Sequence, residues 1–204
     1  MRVLKFGGSS LADFACLEQV AALAKAQLKD EMLLVLSAPG GMTDSLVNLA
    51  STAEQGHDFS EQWHSLTSRC NMLKAAVEEK QGAVQNWPDF NELKNKLEGI
   101  ALIKCCPDQV RAFIISFGER VSVSLMQSLL ADHNAHYLQA TDCIVSTGGH
   151  IDAEADLVAS KARFQAVLKE SPATVYIMPG FTASNNKATM ARLISNNDKP
   201  DINN

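Results

Sequence analysis

Lys5, Phe6, Gly7, Gly8, Ser9 and Ser10 bring together an ammonium group, two positions without side chains and two hydroxyls near the start of the chain. Paired glycines cost backbone entropy and are kept where φ is positive or another backbone comes close. With a lysine before them and hydroxyls after, the visitor they suit is an anion. Loop N–H groups and a helix N-terminus hold phosphate or carboxylate oxygens, and an ammonium at the strand end reaches the same cradle. Two further loops have a related make-up, Ser37-Ala38-Pro39-Gly40-Gly41-Met42-Thr43 and Pro179-Gly180-Phe181-Thr182. Gly118-Glu119 adds a carboxylate where a helix is expected to open. Each feature also has a plainer reading. The first loop is a tight βα turn with a solvated lysine, and Thr43 caps a helix beginning at Asp44. Glu119 sits in a first helical turn where the dipole favours it, and Phe181 is a core side chain.

Other chemistries find less support. Neither GxxxxGKS/T nor GxGxxG occurs, which disfavours a P-loop or an ordinary dinucleotide fold. The cysteines Cys16, Cys70, Cys105, Cys106 and Cys143 are odd in number and lack CxxC spacing, as expected of reduced thiols in a cytoplasmic protein. No Cys, Asp or Glu completes a metal set with His133 and His136, so no metal-binding residues are expected. The net charge of −5 comes without a basic stripe, which argues against nucleic acid. No apolar run is long enough to span a membrane, and the N-terminus does not read as an export signal.

The elements that must position these loops alternate. Residues 2–6 read as a strand, 13–29 as an amphipathic helix, and Met32–Leu36 as a buried parallel strand, with a helix from about Asp44. This βαβα order predicts a parallel sheet with helices packed on it, ligands binding beyond the carboxyl ends of its strands. Residues 59–105 carry two helical stripes, Trp63 to Val77 and Phe90 to Ala101, and read as a helical hairpin inserted as a lid or subdomain. Beyond Pro107 the apolar run 112–117 is read as a return to sheet, punctuated at Gly118-Glu119-Arg120, with a helix through Leu130. A short strand near 137–138, a helix over 156–168 and a strand over 174–178 complete the pattern.

KFGGSS, VLSAPGGMT, SFGERVS and GFTASN, in that order, resemble the amino acid kinase family, and the aspartokinases most closely. The start MRVLKFGG and the stretch LEGIALIKCCPD are similar to the bifunctional aspartokinase–homoserine dehydrogenases. The likeness covers residues 1–187. It implies a three-layer αβα fold whose N-terminal lobe, with a mostly parallel sheet, binds the amino acid, while a C-terminal lobe holds most of the nucleotide. The implied reaction moves a phosphoryl group from Mg-ATP to the β-carboxylate of L-aspartate, giving 4-phospho-L-aspartate. A carboxylate is ionised at neutral pH and needs no general base. The protein's work is to position two repelling anions and stabilise the transferring charge. The resemblance assigns Lys5 to the transferring phosphoryl oxygens and Phe6, Gly7, Gly8 and Ser9 to the phosphate loop. It assigns Ser37, Thr43, Glu119 and Phe181 to the substrate, Glu119 facing its α-ammonium. It also implies a homo-oligomer for the full-length protein.

The family continues with an Asn-x-Lys-Gly turn and an LGRxGSD-type loop whose arginine takes the substrate's carboxylates. Here Asn185-Asn186-Lys187 is followed by Ala188, and no LGRxGSD occurs. The expectation is a native frame ending at Lys187, a non-native or disordered tail over 188–204, and little kinase activity from this chain alone. Two other readings stay open: a kinase acting on acetylglutamate or glutamate, and a non-catalytic module that binds aspartate or pairs with another subunit.

Overall fold

The computed structural model describes residues 1–185 and 190–193. Its first sheet is wholly parallel, in the order β1 (Arg2–Phe6), β2 (Met32–Leu36), β6 (Val175–Pro179), β3 (Ala135–Tyr137). Alternation along a strand sends successive side chains to opposite faces, and the two central strands, β2 and β6, are buried on both, while β1 at the edge is largely exposed. Met32, Leu34, Leu36, Val175 and Ile177 face the main core with α1 (Phe14–Gln27), α2 (Met42–Glu54) and α5 (Asp108–Leu129). Leu33, Tyr176 and Met178 face a second cluster, where Phe164 and Leu168 of α7 (Leu157–Glu170) cover them. Helices on both faces make the three layers that the family resemblance implies.

The inserted hairpin is α3 (Ser60–Gln81) and α4 (Phe90–Ile103). Leu66, Cys70, Leu73 and Val77 of α3 and Leu93, Leu97 and Ile100 of α4 enter the main core. An aromatic ladder ties the hairpin down: Trp87 stacks on Phe90, whose ring meets Phe117 of α5 edge-on at 4.9 Å. The hairpin is therefore a packed subdomain.

Two expectations need correction. The run 112–117 is no strand: α5 continues unbroken from Asp108 to Leu129, with Gly118 and Glu119 in its middle. An apolar run of that length reads alike for a buried strand and a buried helix. Glycine, moreover, stands at 118 because of contact, since a Cβ there would lie 2.7 Å from the Ala38 side chain. Nor does Thr43 cap α2. Gly41 occupies the cap with a left-handed φ of 73°, and the helix starts at Met42.

A second small sheet, not expected from sequence, runs β5 (Glu154–Ala155), β4 (Val145–Thr147), β7 (Thr182–Asn185), β8 (Met190–Arg192), and a short helix, α6 (Ala140–Cys143), leads into it. Most of the expected tail lies outside the described residues. Of the part described, Met190–Arg192 pairs antiparallel with Thr182–Ser184.

Candidate active site

Register builds the site. Phe6 pairs with Leu36 and Leu36 with Pro179, so three strands end side by side. The ladder runs one step further, Ser37 donating its N–H to the Phe6 carbonyl at 3.1 Å and Gly180 to that of Leu36 at 2.9 Å. The three loops marked by their composition therefore leave the sheet together. The reason for the second glycine is now visible. A Cβ on Gly8 would stand 2.9 Å from the Ala38 carbonyl oxygen and 3.4 Å from the Gly40 Cα, so two loop backbones touch there. Gly7 meets nothing and has an ordinary extended backbone.

Between the loops and α5 lies a cleft of ≈ 190 Å³, lined by Gly8, Ser37, Ala38, Pro39, Gly40, Gly41, Thr43, Ile115, Ser116, Glu119, Phe181 and Arg192. That is below the range of about 300–1,000 Å³ usual for ligand pockets, and it suits a small polar metabolite. No residue of the hairpin lines it, so the hairpin is not its lid. Glu119 comes from the middle of α5 and is only 6% exposed. Its Oε2 accepts hydrogen bonds from the Phe181 N–H at 3.1 Å and the Thr182 hydroxyl at 3.2 Å; Oε1 takes part in neither. Burial pushes its pKa up to about 7, against those two bonds and the positive charges of Arg192 and Lys5. Lys5, exposed at the end of β1, holds its ammonium 5.0 Å from the centre of the Phe181 ring, a cation–π contact beside the cleft.

Of the residues singled out in the sequence, Gly8, Ser37, Thr43, Glu119 and Phe181 meet at this cleft. Lys5 stands beside it through Phe181, while Phe6, Gly7 and Ser9 do not line it. Three contributors escaped the sequence reading. Arg192 lies in the segment taken for tail, Ser116 in the run taken for strand, and Arg69 in the hairpin. Arg69 donates to the Ala12 carbonyl at 3.0 Å and the Gly40 carbonyl at 2.8 Å. No local motif marks any of them. Arg192 reaches the cleft because β8 folds back on β7, placing it opposite Thr182.

The result is a small polar cleft at the carboxyl end of a parallel sheet, with glycine loops on one side and a buried acid on the other. The chain belongs to the amino acid kinase family, whose sequence profile its residues 1–199 match. Within that family it is an aspartokinase-like domain. It is 31% identical over 199 residues to a bifunctional aspartokinase/homoserine dehydrogenase of Buchnera aphidicola, spanning 91% of this chain and 24% of that protein. To the protein of the same description from Haemophilus influenzae it is 28% identical over 205 residues, 95% of this chain and 25% of the other. The chain thus spans about a quarter of the length of these relatives. Among solved structures, Escherichia coli aspartokinase III in complex with aspartate and ADP superposes with a TM-score of 0.74 at 23% identity, over 94% of this chain and 43% of that one. The same enzyme with lysine and aspartate also gives 0.74, at 24% identity, over 96% and 44%. At such identities these likenesses establish the fold.

Proposed function

We propose that this chain forms the amino-acid-binding part of an aspartate kinase, which phosphorylates the β-carboxylate of L-aspartate from Mg-ATP. The observation that carries the reading is Glu119, a buried carboxylate with one oxygen outside its internal hydrogen bonds, facing a cleft that also holds a guanidinium and the hydroxyls of Ser37, Thr43 and Ser116. A zwitterion with a second carboxylate matches that set of charges. Glu119 would take the α-ammonium, Arg192 a carboxylate, and Ser37 and Thr43 would donate hydrogen bonds to carboxylate oxygens. Phe181 would form one wall and hold Lys5 by its ring face.

In the reaction, a β-carboxylate oxygen attacks the γ-phosphorus and the bond to the bridging oxygen breaks, releasing ADP. No proton moves in that step, in keeping with a site whose acid is assigned to binding. Lys5, with Gly8 and its neighbours Phe6, Gly7 and Ser9, would neutralise the transferring phosphoryl oxygens. The cleft is too small for ATP, so the adenine is assigned to residues outside this segment. Magnesium would arrive on the nucleotide's phosphates; among the described residues no group of three His, Cys, Asp or Glu side chains is placed to hold a metal ion. A cytoplasmic location and a homo-oligomeric full-length protein belong to the same proposal. Among the described residues no helix is long and apolar enough to cross a membrane.

Calorimetric titration at pH 8 tests the reading. L-Aspartate should bind saturably and L-glutamate about tenfold more weakly. N-Acetyl-L-glutamate, which lacks the ammonium, should not bind. A preference for N-acetyl-L-glutamate would reassign the chain to another amino acid kinase, and binding of none of the three would remove the substrate site.

A further inference from the structure

Arg69 belongs to the inserted hairpin, yet its guanidinium reaches the backs of two loops that form the cleft. One nitrogen, Nη2, donates both to the carbonyl of Ala12 and to that of Gly40. Ala12 ends the single helical turn, Gly8–Leu11, that follows the paired glycines, and Gly40 lies between β2 and α2. The loops also approach each other directly, a Cβ on Gly8 falling 2.9 Å from the Ala38 carbonyl oxygen and one on Gly40 3.4 Å from the Ala12 side chain. Hydrogen bonds from a charged donor are about twice as strong as neutral ones, and among the described residues Arg69 forms no ion pair that would draw it away.

We propose that Arg69 is a positioning residue that locks the Gly7-Gly8 loop and the Pro39-Gly41 loop together, so that the inserted hairpin sets ligand affinity from behind the cleft. A trans peptide is planar, with its C=O and N–H opposed. Fixing the Gly40 carbonyl on Arg69 therefore fixes the direction of the Gly41 N–H on the same peptide, at a residue that lines the cleft. A lysine could supply the charge but not the planar, pre-organised donors. The inference rests on the cleft being the aspartate site, as proposed above.

Two readouts on the 204-residue chain test it: calorimetric L-aspartate affinity, and amide order parameters of Gly8, Gly40 and Gly41 from nitrogen-15 relaxation without ligand. For Arg69→Met the affinity should fall at least tenfold. The three glycine order parameters should drop from the rigid range of about 0.85 toward about 0.6, while those of Thr182 and Ala183 in β7 hold. Arg69→Lys should lie between, and it carries the test if the methionine variant does not fold. Unchanged affinity, or lost affinity with unchanged glycine order, overturns the proposal. If the wild-type chain binds no aspartate, the substrate assignment fails by itself. The order parameters then decide the brace: a drop upholds the loop lock, and no change removes it.

Discussion

Glu119 keeps a carboxyl group where water scarcely reaches it, and this gives two pH effects of opposite sign. Its folded pKa of about 7 lies above the ordinary 4.5, so between those values the folded chain holds the proton more tightly than the unfolded one. The stability this group contributes is complete below about pH 4.5 and is lost as pH rises through about 7, on the order of 3 kcal/mol at most. The melting temperature of the ligand-free chain should therefore fall between pH 5 and 7.5, and Glu119→Gln should flatten that slope. Aspartate binding runs the other way, because the ammonium needs the ionised form. Affinity should rise roughly tenfold from pH 6 to a plateau above pH 8, as expected of one group titrating near 7. Glu119→Gln should bind at least tenfold more weakly and without that dependence. A wild-type affinity that is level across this range in calorimetry would show that Glu119 is not the ammonium's partner.

At the level of the element, α5 carries the site's acid and also meets the hairpin and the β2–α2 loop. Gly118→Ala sets two effects against each other. Helix propensity favours alanine by about 1 kcal/mol, but the new methyl would stand 2.7 Å from the Ala38 side chain, and overpacking costs about 1–3 kcal/mol. The clash should win, lowering the urea midpoint and weakening aspartate several-fold by displacing a cleft loop. Phe117→Ala, at a ring only 1% exposed and packed on Phe90, should cost about 3–5 kcal/mol, read as a lower urea midpoint at an unchanged slope. The same helix shows where sequence reasoning stops. Strands at 2–6, 32–36 and 175–179 were legible because each is a short stretch rich in Val, Leu, Ile or aromatic residues that runs into a loop carrying glycine. Inside α5 the glycine read as a boundary, although its reason is a neighbour from residue 38, and no local pattern announces a contact of that kind. The second sheet was lost for a different cause: its strands are two to four residues long, too short to show a period.

For the molecule as a whole, the loops at 5–10, 37–43 and 180–182 were legible as a site because composition marks them and parallel pairing must bring strand ends together. Arg69 and Arg192 were not, since only the folded hairpin and the return of β8 deliver them. If the adenine is held outside this segment, as proposed above, these 204 residues should release ADP in the presence of aspartate at a small fraction of the rate of a longer aspartate kinase, measured by coupled assay. Turnover at a comparable rate would place the nucleotide site within this segment. Sheet order has one more consequence, in time. β6 pairs with β2 in the middle of the sheet, although 138 residues separate Leu36 from Val175 in the chain. At synthesis rates of about 5–20 residues per second, β2 waits about 7–28 s for its central neighbour. Through that interval β1 and β2 can pair, but the third loop of the cleft does not yet exist and the inner edge of β2 stands open. A nascent chain therefore passes through a stage that a ligand of the finished cleft cannot rescue.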